Sequence, residues 1–135
     1  YTLKVKTSGG TGYDMPVGST AVLYTDGTNT SMALLQKGYT THTTAYTAVA
    51  GDQIFCDTTS TGFTVTLPAG NVGDEVTIID SKNYFTSNNL TVSPNGSEKI
   101  NSAAANLILS ANGQAITLVY ANATVGWIYK TNSAS

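Results

Sequence analysis

The stretch Phe63-Thr64-Val65-Thr66-Leu67-Pro68 decides the fold class of this chain. Its apolar side chains alternate with threonines, and this period of two is typical of a half-buried β-strand. Threonine suits the wet face of a sheet because its branched Cβ favours extended backbone and its hydroxyl can hydrogen-bond to water. Pro68 ends the strand, since proline has no N–H to donate to a neighbouring strand.

Similar short runs recur along the chain and are separated by turn signals rich in Gly, Asn and Pro. The runs fall at residues 3–5, 21–24, 76–79, 90–92, 116–120 and 127–129. Helical periodicity is nearly absent, and residues 101–106, which include three alanines, are given at most one short helical turn. The sequence therefore predicts an all-β fold, either an antiparallel β-sandwich or a fibre-type β module, with little or no helix.

A weak internal repeat suggests how the strands are grouped. Residues 3–9 align with 90–96, and residues 18–26 align with 113–122 after a slip of one residue. This predicts four segments: residues 1–36 as the C-terminal half of a preceding β unit, 37–44 as a linker, 45–130 as a complete β unit, and 131–135 as the start of the next linker or tail. Because the first residues already have a strand pattern, we expect the chain to be a piece of a longer polypeptide.

Composition excludes several classes of function. Charged side chains make up 10% of the chain, whereas soluble domains have about 25%. The net charge is −2 and the sequence has no Arg, so it lacks the basic surface that a phosphate backbone requires. No apolar run approaches the roughly 20 residues of a membrane-spanning helix. Cys56 is the only cysteine and cannot form an intrachain disulfide, so stability must come from an apolar core, from neighbouring modules or from oligomerisation.

Several of these stretches together resemble a β module of tailed-bacteriophage virion proteins, found in tail fibres and related appendages. The resemblance is carried by residues 46–59, 63–69 and 73–80, and the N-terminal stretches 1–7 and 22–29 are similar to a segment common in the same proteins. It implies a location in the virion and a homotrimeric assembly. The matching residues are packing and turn patterns and contain no catalytic signature.

A thiol nucleophile is the first catalytic arrangement to consider. Cys56 with His42 as its base would provide an activated thiolate. Cys56, however, is flanked by Ile54 and Phe55, and a free cysteine in such surroundings is commonly a small buried apolar residue. His42 lies in a threonine-rich linker. The sequence favours the structural interpretation of both residues.

Paired carboxylates would be needed for glycoside hydrolysis, an activity found in phage tailspikes. Asp74 and Glu75 are adjacent, so on a strand they would point to opposite faces. Asp26, Asp52 and Asp74 adjoin glycine, and such aspartates are expected to bond their own backbone in turns. Residues 26–31 resemble a calcium loop but lack its alternating ligands and closing Glu, so a hairpin turn is favoured.

The remaining candidate residues also favour structural roles. A single His and a single Cys cannot form a zinc site within one chain, although His42 would be the first candidate for an ion on a trimer axis. Glycosylation sequons begin at Asn29, Asn89, Asn95 and Asn122, and chance matches are expected in a chain rich in Asn and Thr. Trp127 and Tyr129 share one face of a strand, which favours core or subunit interface over a stacking surface for sugars.

The sequence thus predicts a non-enzymatic structural module of a bacteriophage virion appendage, similar to a tail fibre, that contributes to fibre assembly and, as an option, to host attachment. The alternatives are a capsid decoration or fibre-anchoring protein and a carbohydrate-binding receptor module. Expected partners are further copies in a homotrimer, other virion proteins and, for a receptor module, a host surface glycan. The expected location is the extracellular phage particle, assembled in the bacterial cytoplasm. No catalytic, cofactor-binding or metal-binding residue is assigned, and no cofactor is expected.

Overall fold

The computed structural model describes residues 3–5, 13–15, 20–25 and 30–133, which fall into two compact units, Tyr1–Tyr39 and Thr40–Ser135. In the first unit β1 (Leu3–Val5) pairs antiparallel with β2 (Tyr13–Met15), and β3 (Thr20–Thr25) pairs antiparallel with β4 (Thr30–Gln36). No helix occurs in the described part of the chain, and so none there is long and apolar enough to cross a membrane.

The remaining strands form two sheets. They are β5 (Tyr39–His42), β6 (Tyr46–Thr47), β7 (Gln53–Cys56), β8 (Thr64–Thr66), β9 (Glu75–Asp80), β10 (Leu90–Ser93), β11 (Leu107–Leu109), β12 (Ala115–Asn122) and β13 (Gly126–Ser133). The four-stranded sheet has the order β11-β10-β8-β6, and the five-stranded sheet has the order β13-β12-β9-β7-β5.

The chain alternates between the two sheets from β5 to β10. Each strand of one sheet is followed by a strand of the other sheet. From β6 to β10, successive strands within one sheet therefore run in the same direction. As a result β6, β8 and β10 pair parallel, and so do β7 and β9. Antiparallel pairs occur at the far side of each sheet, between β10 and β11 and among β9, β12 and β13. The all-β prediction is confirmed. The sheets are mixed because of this alternation, so the antiparallel form of the predicted β-sandwich is wrong.

One hydrophobic cluster receives side chains from both sheets. Buried and partly exposed residues alternate along β9 and along most of β12. Ile78 and Leu118 therefore point into the cluster, and the neighbouring residues on each strand face outward. Val65 and Val92 enter it from the four-stranded sheet, and Trp127 is its largest fully buried side chain. The period of two in the sequence therefore reflects which side of each sheet is covered.

Every run that the sequence marks as a strand lies on an observed strand, including β8, β9, β10, β12 and β13. Residues 101–106, to which the sequence gives at most one short helical turn, contain no helix. Asn101 and Ser102 have φ angles of 49° and 69°, and Ile100 and Ala103 exchange backbone hydrogen bonds of 2.9 and 3.0 Å around them. Positive φ at both central residues is the requirement of a type I′ turn and is incompatible with a right-handed helix.

The segment 37–44, interpreted as a linker, contains strand β5, which takes an edge position in the five-stranded sheet. Its last residue, His42, accepts a backbone hydrogen bond of 2.9 Å from Asp57 N–H. The domain boundaries drawn from the internal repeat stay a prediction.

Candidate functional site

The structure assigns separate surroundings to the thiol and the imidazole. Cys56 on β7 is fully buried in the core. His42 on β5 stacks its ring on Tyr46, with centroids 3.7 Å apart and planes inclined by 24°. The imidazole Nε2 lies 3.2 Å from Thr40 Oγ1. These contacts use the histidine in local packing.

The Cys56 thiol is also in the wrong protonation state for a nucleophile. Burial raises its pKa to about 12, and the neighbouring Asp80 carboxylate adds to the rise. A thiol attacks as the thiolate, so Cys56 is unreactive in the folded chain near neutral pH. The burial of Cys56 and its protonated thiol therefore both agree with a structural role in the core.

The raised pKa of Cys56 makes stability depend on pH in the alkaline range. In the unfolded chain the thiol loses its proton above its ordinary value near 9, whereas the folded chain keeps it until about pH 12. The unfolded state then binds fewer protons, so the free energy of unfolding falls as pH rises, by about 2 kcal/mol at about pH 10.5. Urea denaturation at pH 8 and at about pH 10.5 is expected to show a loss that is larger by this amount in the natural chain than in Cys56→Ala. Equal losses in both chains would contradict it.

The carboxylates of the turns bond to neighbouring backbone. Asp52 Oδ2 accepts hydrogen bonds from Val49 N–H at 2.8 Å and from the Tyr46 hydroxyl at 3.0 Å. Burial raises the pKa of the Tyr46 hydroxyl, and the hydrogen bond to Asp52 and the negative charge of Asp52 raise this pKa further. Asp74 accepts from Asn71 N–H at 2.9 Å, as expected for an aspartate in a turn.

The remaining described acids are also engaged. Hydrogen bonds from Thr59 hold the pKa of Asp57 below its usual value. Glu75 begins β9 and forms a 2.7 Å ion pair with Lys130 Nζ on β13. The side chains of Asp14 and Asp26 lie outside the described residues.

Asp80 and Glu98 are two acids whose role the sequence patterns do not reveal. Asp80 is buried, with 6% of its surface exposed, and its two oxygens accept backbone hydrogen bonds from two loops. Glu98 accepts from Gly70 N–H at 3.0 Å and from the Trp127 indole N–H at 3.2 Å. Both donors to Glu98 are distant in sequence, and Asp80 combines three local donors with the distant Gly113 N–H. A local turn signal cannot identify the distant partners.

No metal site is formed by the part of the chain that the structure describes, since it holds no group of three His, Cys, Asp or Glu side chains suited to an ion. The calcium-like loop at 26–31 lies partly outside the described residues, as does the sequon at Asn29. In the described sequons, Asn122 Oδ1 accepts hydrogen bonds from Thr124 and Val125 N–H, and Asn89 Nδ2 donates to Phe85 O at 2.7 Å. These asparagines serve the local backbone.

The aromatic side chains divide between core and surface. Trp127 is fully buried and packs edge to face against Tyr120 with centroids 5.5 Å apart. Tyr129, two residues further on, is 36% exposed because β13 is the edge of its sheet. Tyr39 and Tyr84 are also exposed but belong to other elements. The expected core position is confirmed for Trp127.

The outward side of the five-stranded sheet carries a group of neighbouring apolar side chains. We define the outer apolar patch by its residues: Phe55, Ile79, Ala115, Val119 and Ile128. Cross-strand pairing places Phe55 next to Ile79 and Ile79 next to Ala115, and Val119 next to Ile128. All five are only partly covered.

Polar side chains between and beside these residues carry little net charge. Thr77 and Thr117 sit side by side within the sheet, with their hydroxyls 3.0 Å apart. At one margin Glu75 and Lys130 neutralise each other. Burying this face against another surface would therefore desolvate few charges, which is the main cost of covering a polar surface.

Comparison with protein-family models and with curated protein sequences gives no match to this chain.

Proposed function

We propose that this chain is a non-enzymatic structural module of a bacteriophage virion appendage of the tail-fibre type. In this proposal the two sheets form a sandwich-like unit, and three copies associate into a homotrimer. The proposal joins the resemblance of residues 46–59, 63–69 and 73–80 to phage β modules with a structure whose described acids and thiol serve the fold.

The outer apolar patch is the observation that supports assembly most directly. A single β unit of this size buries a limited share of its surface, so association with further copies adds stability. The patch presents five apolar side chains on neighbouring strands, and the adjoining charges, Glu75 and Lys130, are already paired. A three-fold assembly that covers this patch would extend the apolar core without leaving a charge unpaired.

Light scattering coupled to size-exclusion chromatography tests the proposal on the full chain. The expected mass at micromolar concentration is three times the 14.0 kDa of one chain. Replacing Ile79 at the centre of the patch with lysine is expected to yield monomers, because a charge would be buried without a partner. Val72→Lys is the matched control, since Val72 is 79% exposed and lies in a loop outside the patch.

A stable monomer of the natural chain at micromolar concentration would contradict the trimer. A trimer that Ile79→Lys leaves intact would place the interface elsewhere. Far-ultraviolet circular dichroism of both variants establishes that any loss of mass reflects dissociation of a folded chain. Electron microscopy of a phage that carries this module, with the module labelled, then tests the location in a virion appendage.

A further inference from the structure

The outer edge of β11 is an open strand edge whose backbone orientation can be deduced. Thr91 on β10 donates its N–H to Phe63 O at 3.0 Å, on the side of β8, and Ser93 O accepts from Leu67 N–H on the same side. The backbone groups of Thr91 therefore point away from β11. Since Thr91 lies opposite Ile108, the bonds between β10 and β11 are made by the flanking residues.

It follows that Ile108 directs its own N–H and C=O to the open edge. No strand pairs with β11 on that side among the described residues. The Ile108 side chain is 51% exposed on the outward face of the sheet. An unpaired backbone donor and acceptor beside an exposed apolar side chain form a template for another strand.

In contrast to β11, the edge strand β13 of the five-stranded sheet is protected against pairing with a further strand. On β13 the pairing register shifts between Thr117 and Leu118, and the charged Lys130 lies at this irregularity. Bulges and lysines are common devices against strand addition. Strand β11 has neither, and no charged residue occurs in the sequence between Lys99 and Lys130.

The sequence around Ile108 is complementary to itself. It reads Asn106-Leu107-Ile108-Leu109-Ser110, a palindrome of polar, Leu, Ile, Leu and polar residues. In an antiparallel pair centred on Ile108, each Leu107 would lie opposite Leu109 of the second copy, and the polar residues would lie opposite each other. Leu109 is buried on the core side and Leu107 is partly covered, so the added strand would continue the apolar core across the pair.

We propose that β11 pairs antiparallel with β11 of a second copy of this chain about a two-fold axis, which joins two four-stranded sheets into one. The two Ile108 residues exchange N–H to C=O hydrogen bonds at the centre. An interface of this kind is self-complementary, which a three-fold interface cannot be. It is therefore distinct from the outer apolar patch and does not rest on the proposed function.

Sedimentation velocity over a range of chain concentrations tests the pairing. The expected species are a dimer, or a hexamer if the three-fold assembly also forms. Ile108→Lys places two lysines opposite each other at the axis and is expected to weaken the pairing at least about tenfold, which halves the mass at intermediate concentration. Val72→Lys adds the same charge to an exposed apolar site outside the edge and should leave the mass unchanged.

The outcomes separate this inference from the proposed function. A dimer that Ile108→Lys converts to monomer supports the pairing and contradicts the trimer. A trimer unaffected by Ile108→Lys overturns the pairing and keeps the trimer. A chain that stays monomeric at every concentration overturns both, and a hexamer that Ile108→Lys converts to trimer supports both.

Amide hydrogen exchange on the natural chain gives a second measurement that needs no variant. The Ile108 amide is expected to exchange more slowly at high than at low chain concentration. The Leu109 amide, which points towards β10, should be protected at both and serves as the internal control. An Ile108 exchange rate independent of concentration overturns the proposal, even if Ile108→Lys fails to fold.

Discussion

Replacing Asp80 with alanine is expected to lower the free energy of unfolding by about 4 kcal/mol. Asp80 is buried at the end of β9, and its Oδ2 accepts backbone hydrogen bonds from Tyr84 at 2.9 Å, Phe85 at 3.2 Å and Gly113 at 3.0 Å. Its Oδ1 accepts a fourth from Lys82 at 3.2 Å. Each buried donor left without an acceptor costs about 1 to 3 kcal/mol, so the loss adds up over the site.

The position of this carboxylate explains why so much depends on it. It holds the loop after β9, residues 81–89, against the turn that precedes β12, where Gly113 lies. The same loop supplies Phe85, a fully buried core side chain. Loss of the carboxylate would therefore release backbone polar groups and also loosen the placement of an aromatic ring in the core.

Denaturation in urea, followed by intrinsic fluorescence, measures the effect against two matched variants. Asp80→Asn keeps one oxygen that can occupy the place of Oδ2, so its loss should be about half that of alanine. Asp74→Ala removes a carboxylate of an exposed turn and should cost about 1 kcal/mol or less. If Asp80→Ala were no more destabilising than Asp74→Ala, the proposed bracing of the two loops would be wrong.

The strands could be predicted from sequence because their signal is local. The alternation in Phe63-Thr64-Val65-Thr66-Leu67 reports one covered face, and the structure confirms β8 at this place with Val65 and Leu67 fully buried. The parallel pairing of β8 with β6 and β10 could not be predicted in this way. It depends on the chain crossing between two sheets, which no period of two can reveal.

The missed strands have physical reasons of the same kind. Strand β11 contains Leu107, Ile108 and Leu109 without a polar residue between them, so it lacks the alternation that marks a half-buried strand. Strand β7 has outward residues, Gln53 and Phe55, that differ in polarity, which weakens its pattern. Their assignment as strands comes from the neighbours with which they pair.

For the candidate site, the sequence predicted turn aspartates correctly where partners are local, as for Asp74. Asp80 was missed because one of its donors, Gly113, is far along the chain. The shortage of charge was evident from composition. The positions of the uncharged surfaces follow only from the strand register. The register places the outer apolar patch on one face of the five-stranded sheet and leaves Ile108 on an open strand edge.

A second large loss of stability is expected for Gly126→Ala. Gly126 begins β13 with a φ of 75°, in the left-handed region that L-residues avoid at a cost of about 1 to 2 kcal/mol. A Cβ at this position would also lie far inside van der Waals contact with the backbone carbonyl of Lys99. That carbonyl accepts a hydrogen bond of 2.9 Å from Trp127 N–H, so it cannot move freely.

The absence of a side chain at Gly126 thus allows the start of β13 to approach the backbone at Lys99. The same two segments also contact each other through side chains. A displaced Lys99 would shift the adjacent Glu98, whose carboxylate accepts from the Trp127 indole N–H. We therefore expect Gly126→Ala to lower the free energy of unfolding by about 4 kcal/mol and to change the Trp127 fluorescence of the folded chain.

Gly51→Ala is the control that separates the backbone conformation from the contact with Lys99. Gly51 has a φ of 85°, and a Cβ added there would meet no atom within 4 Å. Gly51→Ala should therefore lower the free energy of unfolding by only about 1 to 2 kcal/mol. Equal losses in the two variants would mean that the contact with Lys99 relaxes at no cost and that conformation alone requires glycine at position 126.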